Sequence, residues 1–296
     1  MMNDNTRGIL FMILAMATML TSDTVVKSVA QELPLFQIIF IRHIFMTAGL
    51  GVMALRDGGF RFRPTARQTR LISLRTIGEV GIVCFYMTAL TMMPLGTGTA
   101  LFQLQPLAVA LAAALFLAQP IGPRRILAIV VGFGGVLLIV RPGTEAFSLG
   151  AVLTLLAVFC VCLSDITTRI MGASVPASVL AVMGSTALLV LSFAIMMVQG
   201  NWAPMSLAQF GLILTGAFFL MVGYLAMVFA MRFGDIAAIS PFRYVALVFG
   251  ILYGFLFFGE IPQPIMLLGA LIIVASGLYS FLRERKVQAK VDTRSV

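Results

Sequence analysis

Apolar residues run along this chain in blocks of about twenty, broken by short polar stretches. Ten such blocks can be marked, at roughly 8–30, 35–55, 71–93, 96–117, 125–140, 149–170, 177–198, 207–231, 236–258 and 265–282. About twenty mainly apolar residues, coiled as a helix, cross the roughly 30 Å hydrocarbon core of a bilayer. The blocks are continuous and do not alternate at period two, which argues against a membrane β-barrel. The pattern predicts an all-α integral membrane protein with ten transmembrane helices. The fifth block is short and the third carries charge.

The pattern also repeats. Sliding the chain by 142 residues lays Gly8 on Gly150, the run Ser22–Lys27 on Ser164–Arg169, and Pro34 on Pro176. At 141 residues Gln119 falls on Glu260. The expected units are therefore residues 1–143 and 144–284, each of five spans, followed by a basic tail at 285–296. An odd number of spans turns the second copy upside down. Inverted repeats of this kind are common in secondary transporters, whose sites lie near the pseudo-two-fold axis at mid-membrane.

Composition agrees with the pattern. The 296 residues are 60% hydrophobic and 10% charged, with a mean hydropathy of +1.07. Soluble domains carry about 25% charged residues. A net charge of +9 would suggest nucleic acid in a soluble chain. Here the basic residues gather between spans. With the N-terminus in the cytoplasm, 16 of the 20 Lys and Arg residues fall at the cytoplasmic face. That is the expected bias, and it puts both termini inside. No nucleic-acid partner is expected. Cys84, Cys160 and Cys162 lie inside apolar blocks at spacings that suit neither a disulfide nor zinc. They read as small packing residues, and the first block lacks the signs of a cleaved leader.

These features resemble the drug/metabolite transporter superfamily in its ten-helix EamA-type form. The resemblance rests on the two five-span copies and on the run from Ala89 through Pro106 to Phe116 and Gln119. The counterpart run goes from Ala230 to Phe257, Gly259 and Glu260. Arg42, in the segment FIRHIF, resembles an arginine often found in the second helix of that family. Within it the chain looks most like bacterial exporters of aromatic and other neutral amino acids, some of which extrude cationic toxic compounds. The resemblance implies the bacterial inner membrane. The chain departs from the pattern at Gln119, where glutamate is usual, and at Leu247, which stands where the first copy has Pro106.

Ionisable residues inside spans are costly and usually face a protein interior or a wet cavity. Asp23 and Lys27 are spaced i,i+4, as are Asp165 and Arg169, so each pair shares a helix face. They suit either a structural ion pair or a gate or coupling site. Arg75 and Glu79 share the spacing and the same two readings. His43 is the chain's one histidine and could change charge near neutral pH. On the fourth and ninth spans Thr99 and Gln103 share a face, and the repeat maps them to Ser240 and Tyr244, with Phe102 mapping to Arg243. An axis between the copies would gather Thr99, Gln103, Ser240, Arg243 and Tyr244 into a central polar patch. Arg243 could grip a carboxylate through two parallel hydrogen bonds. Interhelical hydrogen bonding is the structural alternative. Tyr86, deep in the third span, could line a route for flat substrates.

No phosphate-binding loop, HExxH motif or paired catalytic motif occurs. No cofactor or metal is expected. The sequence reading is a secondary transporter, not an enzyme, exporting amino acids and related small solutes by alternating access around a central cavity. Its partners would be a small-molecule substrate and lipid, with the chain acting as a monomer. The same fold could carry other metabolites or cationic drugs. A membrane scaffold or enzyme is the reading from another class, and it lacks clustered catalytic groups to support it.

Overall fold

The computed structural model describes residues 4–56, 58–117, 122–141, 148–172, 175–232 and 239–292. Ten helical spans are long and apolar enough to cross a membrane. They are Asp4–Val29, Leu35–Arg56, Ala66–Met92, Leu95–Leu117, Pro123–Val140, Leu149–Met171, Ala177–Gln199, Leu207–Ala230, Ser240–Phe258 and Pro264–Arg283, the helix of the last continuing to Asp292. No strand occurs among the described residues.

Local chemistry sets the ends. The third span starts five residues earlier than its apolar block. Thr65 and Gln68 form a capping box there: each side chain meets the other's backbone N–H, with Thr65 N to Gln68 Oε1 at 2.8 Å. The cap lets the charged turn around Arg67 and Arg70 join the helix outside the apolar zone. The tenth span runs on through the basic tail to Asp292, so the expected tail boundary at 285 falls inside a helix.

The fourth span is broken. Leu95–Phe102 and Gln105–Leu117 are separate helices joined by a turn at Gln103 and Leu104. Pro106 explains the break. It lacks an N–H, and its ring crowds the carbonyl four residues back, at Phe102. The ninth span has no such break at Leu247. It opens instead with a 3₁₀ turn, Ser240–Tyr244, carrying Pro241. Each proline ends up beside the polar stretch of its span.

The most extensive helix contacts pair the third span with the sixth, the first with the eighth, the fifth with the tenth, the second with the seventh, and the fourth with the ninth. Under the 142-residue equivalence the first pairing is the copy of the second. The other three pair a helix with its own equivalent, which requires an axis between them. This is the pairing expected of two inverted five-helix repeats. Glycines permit the close approaches. A Cβ on Gly78 would come within 2.9 Å of the Cys160 carbonyl on the sixth span, and one on Gly223 within 2.7 Å of Met19 on the first. Tight helix packing replaces the hydrophobic drive that lipid cannot supply. Cys84, Cys160 and Cys162 are free thiols.

Candidate functional site

The axis can be located from side chains. His43 Nδ1 lies 3.1 Å from the hydroxyl of Ser185, its own equivalent at 142 residues, and Thr47 bonds the same hydroxyl at 2.8 Å. On the fourth and ninth spans the amide of Gln103 donates to the Arg243 carbonyl at 3.2 Å. The two antiparallel helices therefore cross near Gln103 and Tyr244, at the Pro106 break. The Gln103 amide thus meets the backbone of Arg243, the residue before Tyr244, close to the crossing.

It does not bring Thr99 to Ser240. Equivalent positions on an antiparallel pair meet only at the axis and separate with each turn away from it. Thr99 packs instead against Gly250, where a Cβ would come within 2.7 Å of its hydroxyl. That is ten residues beyond Ser240, or about 15 Å of helix. The Thr99 hydroxyl donates to the Leu95 carbonyl at 2.8 Å. The expected five-residue patch is thus an elongated polar stripe. Tyr86 joins it: its ring stacks on Phe102 at 4.4 Å, and its hydroxyl interacts with Thr99. The buried hydroxyl of Tyr244 has no hydrogen-bond partner among the described residues and fills the space left by Gly277 on the tenth span.

Beyond the crossing, toward one end of the bundle, the polar groups close. Lys27 is 9% exposed. Its ammonium donates to the Met93 carbonyl and to Glu260 Oε1, both at 2.6 Å, and sits 5.0 Å from the Phe258 ring centroid. Glu260 Oε2 accepts from the Leu95 N–H at 2.7 Å. Gly259 makes this geometry available. At φ 65° it ends the ninth span in a left-handed turn, and Glu260 N–H then reaches back to the Gly254 carbonyl at 3.0 Å. Lys27, expected to pair with Asp23 along its own helix, thus pairs across the two halves. Glu260 was missed as its partner because the two are 233 residues apart in sequence. A pocket of about 310 Å³ lies over this latch, lined by Met93, Thr97, Arg141, Glu260 and Gln263 among others. None of the six expected binding residues lines it. Asp23 lies one turn deeper, partly buried, and its charged neighbour is Arg42 on the second span. Arg42 is 2% exposed, and its Nε and Nη1 have no acceptor among the described residues.

At the opposite end the equivalents lie open. Asp165 and Arg169, counterparts of Asp23 and Lys27, are both exposed. Asp165 feels the charge of Arg243 most, then those of Arg169 and Arg75. Arg75 is fully engaged: Nε with the Thr168 hydroxyl at 3.1 Å, Nη1 with the Leu180 carbonyl at 3.2 Å, and Nη2 with Glu79 at 2.5 Å. The i,i+4 pair Arg75–Glu79 is therefore formed. Gln119, the counterpart of Glu260, lies outside the described residues.

A polar stripe along an axis between inverted halves, closed at one end by an ion pair across the halves and carrying exposed charges at the other, suits a carrier. The sequence pattern of the EamA-like transporter family matches residues 6–141 and 148–282. The chain belongs to the EamA-like transporter family. The two matched segments are one per half. The pseudopaline exporter of Pseudomonas aeruginosa is 28% identical over 91% of this chain and 94% of its own. The riboflavin transporter of Rhizobium johnstonii is 25% identical over 81% and 76%. The S-adenosylmethionine uptake transporter of Rickettsia felis is 24% identical over 96% and 95%. A crystal structure sharing 16% identity superposes with a TM-score of 0.66 over 94% of this chain and 97% of that one, which shows a common fold. This EamA-family chain is a multi-pass membrane transporter of small solutes and not an enzyme.

Proposed function

We propose that this EamA-family transporter exports amino acids and related zwitterions across the bacterial inner membrane by alternating access. The observation that carries the proposal is the placement of Asp165 within charge range of Arg243, whose carbonyl accepts from Gln103 at the crossing. A zwitterion needs an anion and a cation a few ångströms apart, set among neutral hydrogen-bonding groups. Arg243 takes the carboxylate in two parallel hydrogen bonds, and Asp165 takes the ammonium. Gln103, Tyr244 and Ser240 supply neutral polar contacts. Tyr86 and Thr99 continue the stripe beyond the crossing, with Tyr86 and Phe102 accommodating an apolar side chain.

The bias of basic residues puts both termini and the Asp165 end in the cytoplasm. The end closed by Lys27 and Glu260 then faces outward, and the state described is open to the cytoplasm. Export begins with cytoplasmic loading at Asp165 and Arg243. Rocking of the halves about the crossing closes that end and parts the latch. The name of the Rickettsia relative fits this cargo class, since S-adenosylmethionine ends in an α-amino carboxylate. A second cargo class, flat heteroaromatic metabolites, is favoured by the stacked Tyr86 and Phe102 rings and by the riboflavin relative.

The test is counterflow in proteoliposomes. Vesicles loaded with L-phenylalanine, L-methionine, L-lysine or riboflavin are diluted into the labelled compound, with and without a pH gradient. Saturable accumulation of an amino acid, lost in Arg243→Gln, is expected. Dependence on the gradient assigns proton coupling, for which Glu79, Asp23 and His43 are the candidates; independence assigns facilitation. Accumulation of riboflavin alone would replace the amino-acid reading.

A further inference from the structure

Two membrane-buried arginines on this chain are treated very differently by their surroundings. Arg75 spends its donors on a hydroxyl, a carbonyl and a carboxylate from three spans. That is how a structural arginine looks when a fold has closed around it. Arg42 is more deeply buried, yet its Nε and Nη1 meet no acceptor among the described residues. Among the described residues, its charged neighbour Asp23 makes no ion pair with it. An acid and a guanidinium held near each other, but not joined, each keep hydrogen-bonding capacity that a bridging group can take up.

Position supports the same reading. Asp23 is six residues from the end of the first span, and Arg42 seven from the start of the second. Both therefore lie about 10 Å from the Lys27 end of the bundle. Tyr86 and Thr99, six and four residues from that end of their spans, lie at similar depth. Tyr86 is close enough to Asp23 to feel its charge, and its stacked Phe102 supplies an apolar wall. The Lys27–Glu260 latch lies one turn further out and covers the group. The repeat relates Asp23 to Asp165, the acid within charge range of Arg243 on the other side of the crossing. Each half thus offers an acid from its first span to an arginine, though the arginines come from different helices.

We propose that Asp23 and Arg42 form a second head-group station, where the ammonium and carboxylate of a transported amino acid dock after leaving Asp165 and Arg243 and before release past the latch. The proposal rests on the amino-acid reading above. It adds a binding site on the far side of the crossing and assigns Arg42 a role in holding cargo. No bond is made or broken; the cargo exchanges one acid–guanidinium pair for another.

Equilibrium binding to the full chain in nanodiscs tests it. The probe is whichever of L-phenylalanine, L-methionine and L-lysine binds the wild type most tightly, alongside its methyl ester and its N-acetyl derivative. The wild type should bind the free amino acid at least tenfold more tightly than either derivative. Arg42→Gln should lose at least tenfold affinity for the free amino acid while binding the ester as the wild type does, and Arg42→Lys should recover part of the loss. Asp23→Asn should erase the penalty for N-acetylation. Ligand-free Arg42→Gln should melt no lower than wild type, because an unpaired buried charge has been removed; a structural arginine would lower it. Should Arg42→Gln fail to fold, Asp23→Asn and Arg42→Lys decide by the same criteria. Wild-type binding in both Arg42→Gln and Asp23→Asn, with loss in Arg243→Gln, would overturn the station and leave the transport reading standing. No binding of any of the three amino acids to the wild type would overturn both.

Discussion

Lys27 and Arg75 show how buried charge is managed in this membrane protein. Each donates to a backbone carbonyl on another segment and to a carboxylate, which for Lys27 lies 233 residues away and for Arg75 one turn along its own helix. Such a group is costly to desolvate, and removing one partner leaves the other charged and alone. Arg75→Ala strands Glu79 and frees the Thr168 hydroxyl and Leu180 carbonyl. It should cost about 2–4 kcal/mol, measured as the loss of unfolding free energy in detergent. Arg75→Lys should lose less, since an ammonium can keep the Glu79 contact. Glu260→Gln should act differently. The amide oxygen can still accept from Leu95 N–H, so the fold should hold. The charge on Lys27 goes unanswered, and the closed end should loosen. A cysteine placed at Thr97, in the pocket over the latch, should then react several-fold faster with a membrane-impermeant maleimide than in the otherwise wild-type chain. Unchanged reactivity would mean that the ion pair does not hold that end shut. Spacing in sequence could not supply this pairing. It points Lys27 at Asp23, an intrahelical contact worth only about 0.5 kcal/mol. Lys27 instead finds two acceptors at 2.6 Å on other segments.

At the scale of elements the broken fourth span carries the argument. Pro106 removes one helical hydrogen bond and frees the Phe102 carbonyl at the crossing. Pro106→Ala restores the donor and lets one helix run through from Leu95 to Leu117. The variant should gain stability, by up to about 3 kcal/mol if the helix straightens fully. Transport should fall several-fold, because the turn at Gln103 and Leu104 lets the two parts of the span move separately. Thermal unfolding and counterflow on the same preparation check both halves of the prediction. Gain in stability with unchanged counterflow would reduce the break to a packing feature. The ten spans, their order and the Pro106 interruption are legible in the sequence because lipid imposes long apolar runs and proline acts on its own helix. Thr99 and Ser240 mark where that legibility stops. The repeat identifies them as equivalents, but it does not say where the antiparallel helices cross. Only the Gln103–Arg243 and Thr99–Gly250 contacts fix the crossing.

At the scale of the whole molecule, five helix pairings build one interface between the halves, and its two ends differ. The Lys27 end is bonded across the halves, while its equivalents Asp165 and Arg169 are exposed. A repeat predicts matching ends for a static scaffold. A carrier caught on one side of its cycle has one end closed and one open, with the roles exchanged in the alternate state. Sequence shows the symmetry but not which end is closed, since closure depends on contacts between segments far apart in the chain.

Distances between spin labels across each end measure that exchange most directly. One pair, at Ser28 and Ile261, spans the latch, and a second, at Ile170 and Arg124, spans the opposite end. Without ligand the first distance should be short and sharply distributed. Saturating transported amino acid should lengthen the first and shorten the second, in reciprocal fractions of the molecules. If neither distance responds, or both move in the same direction, alternating access about the Gln103 crossing is contradicted.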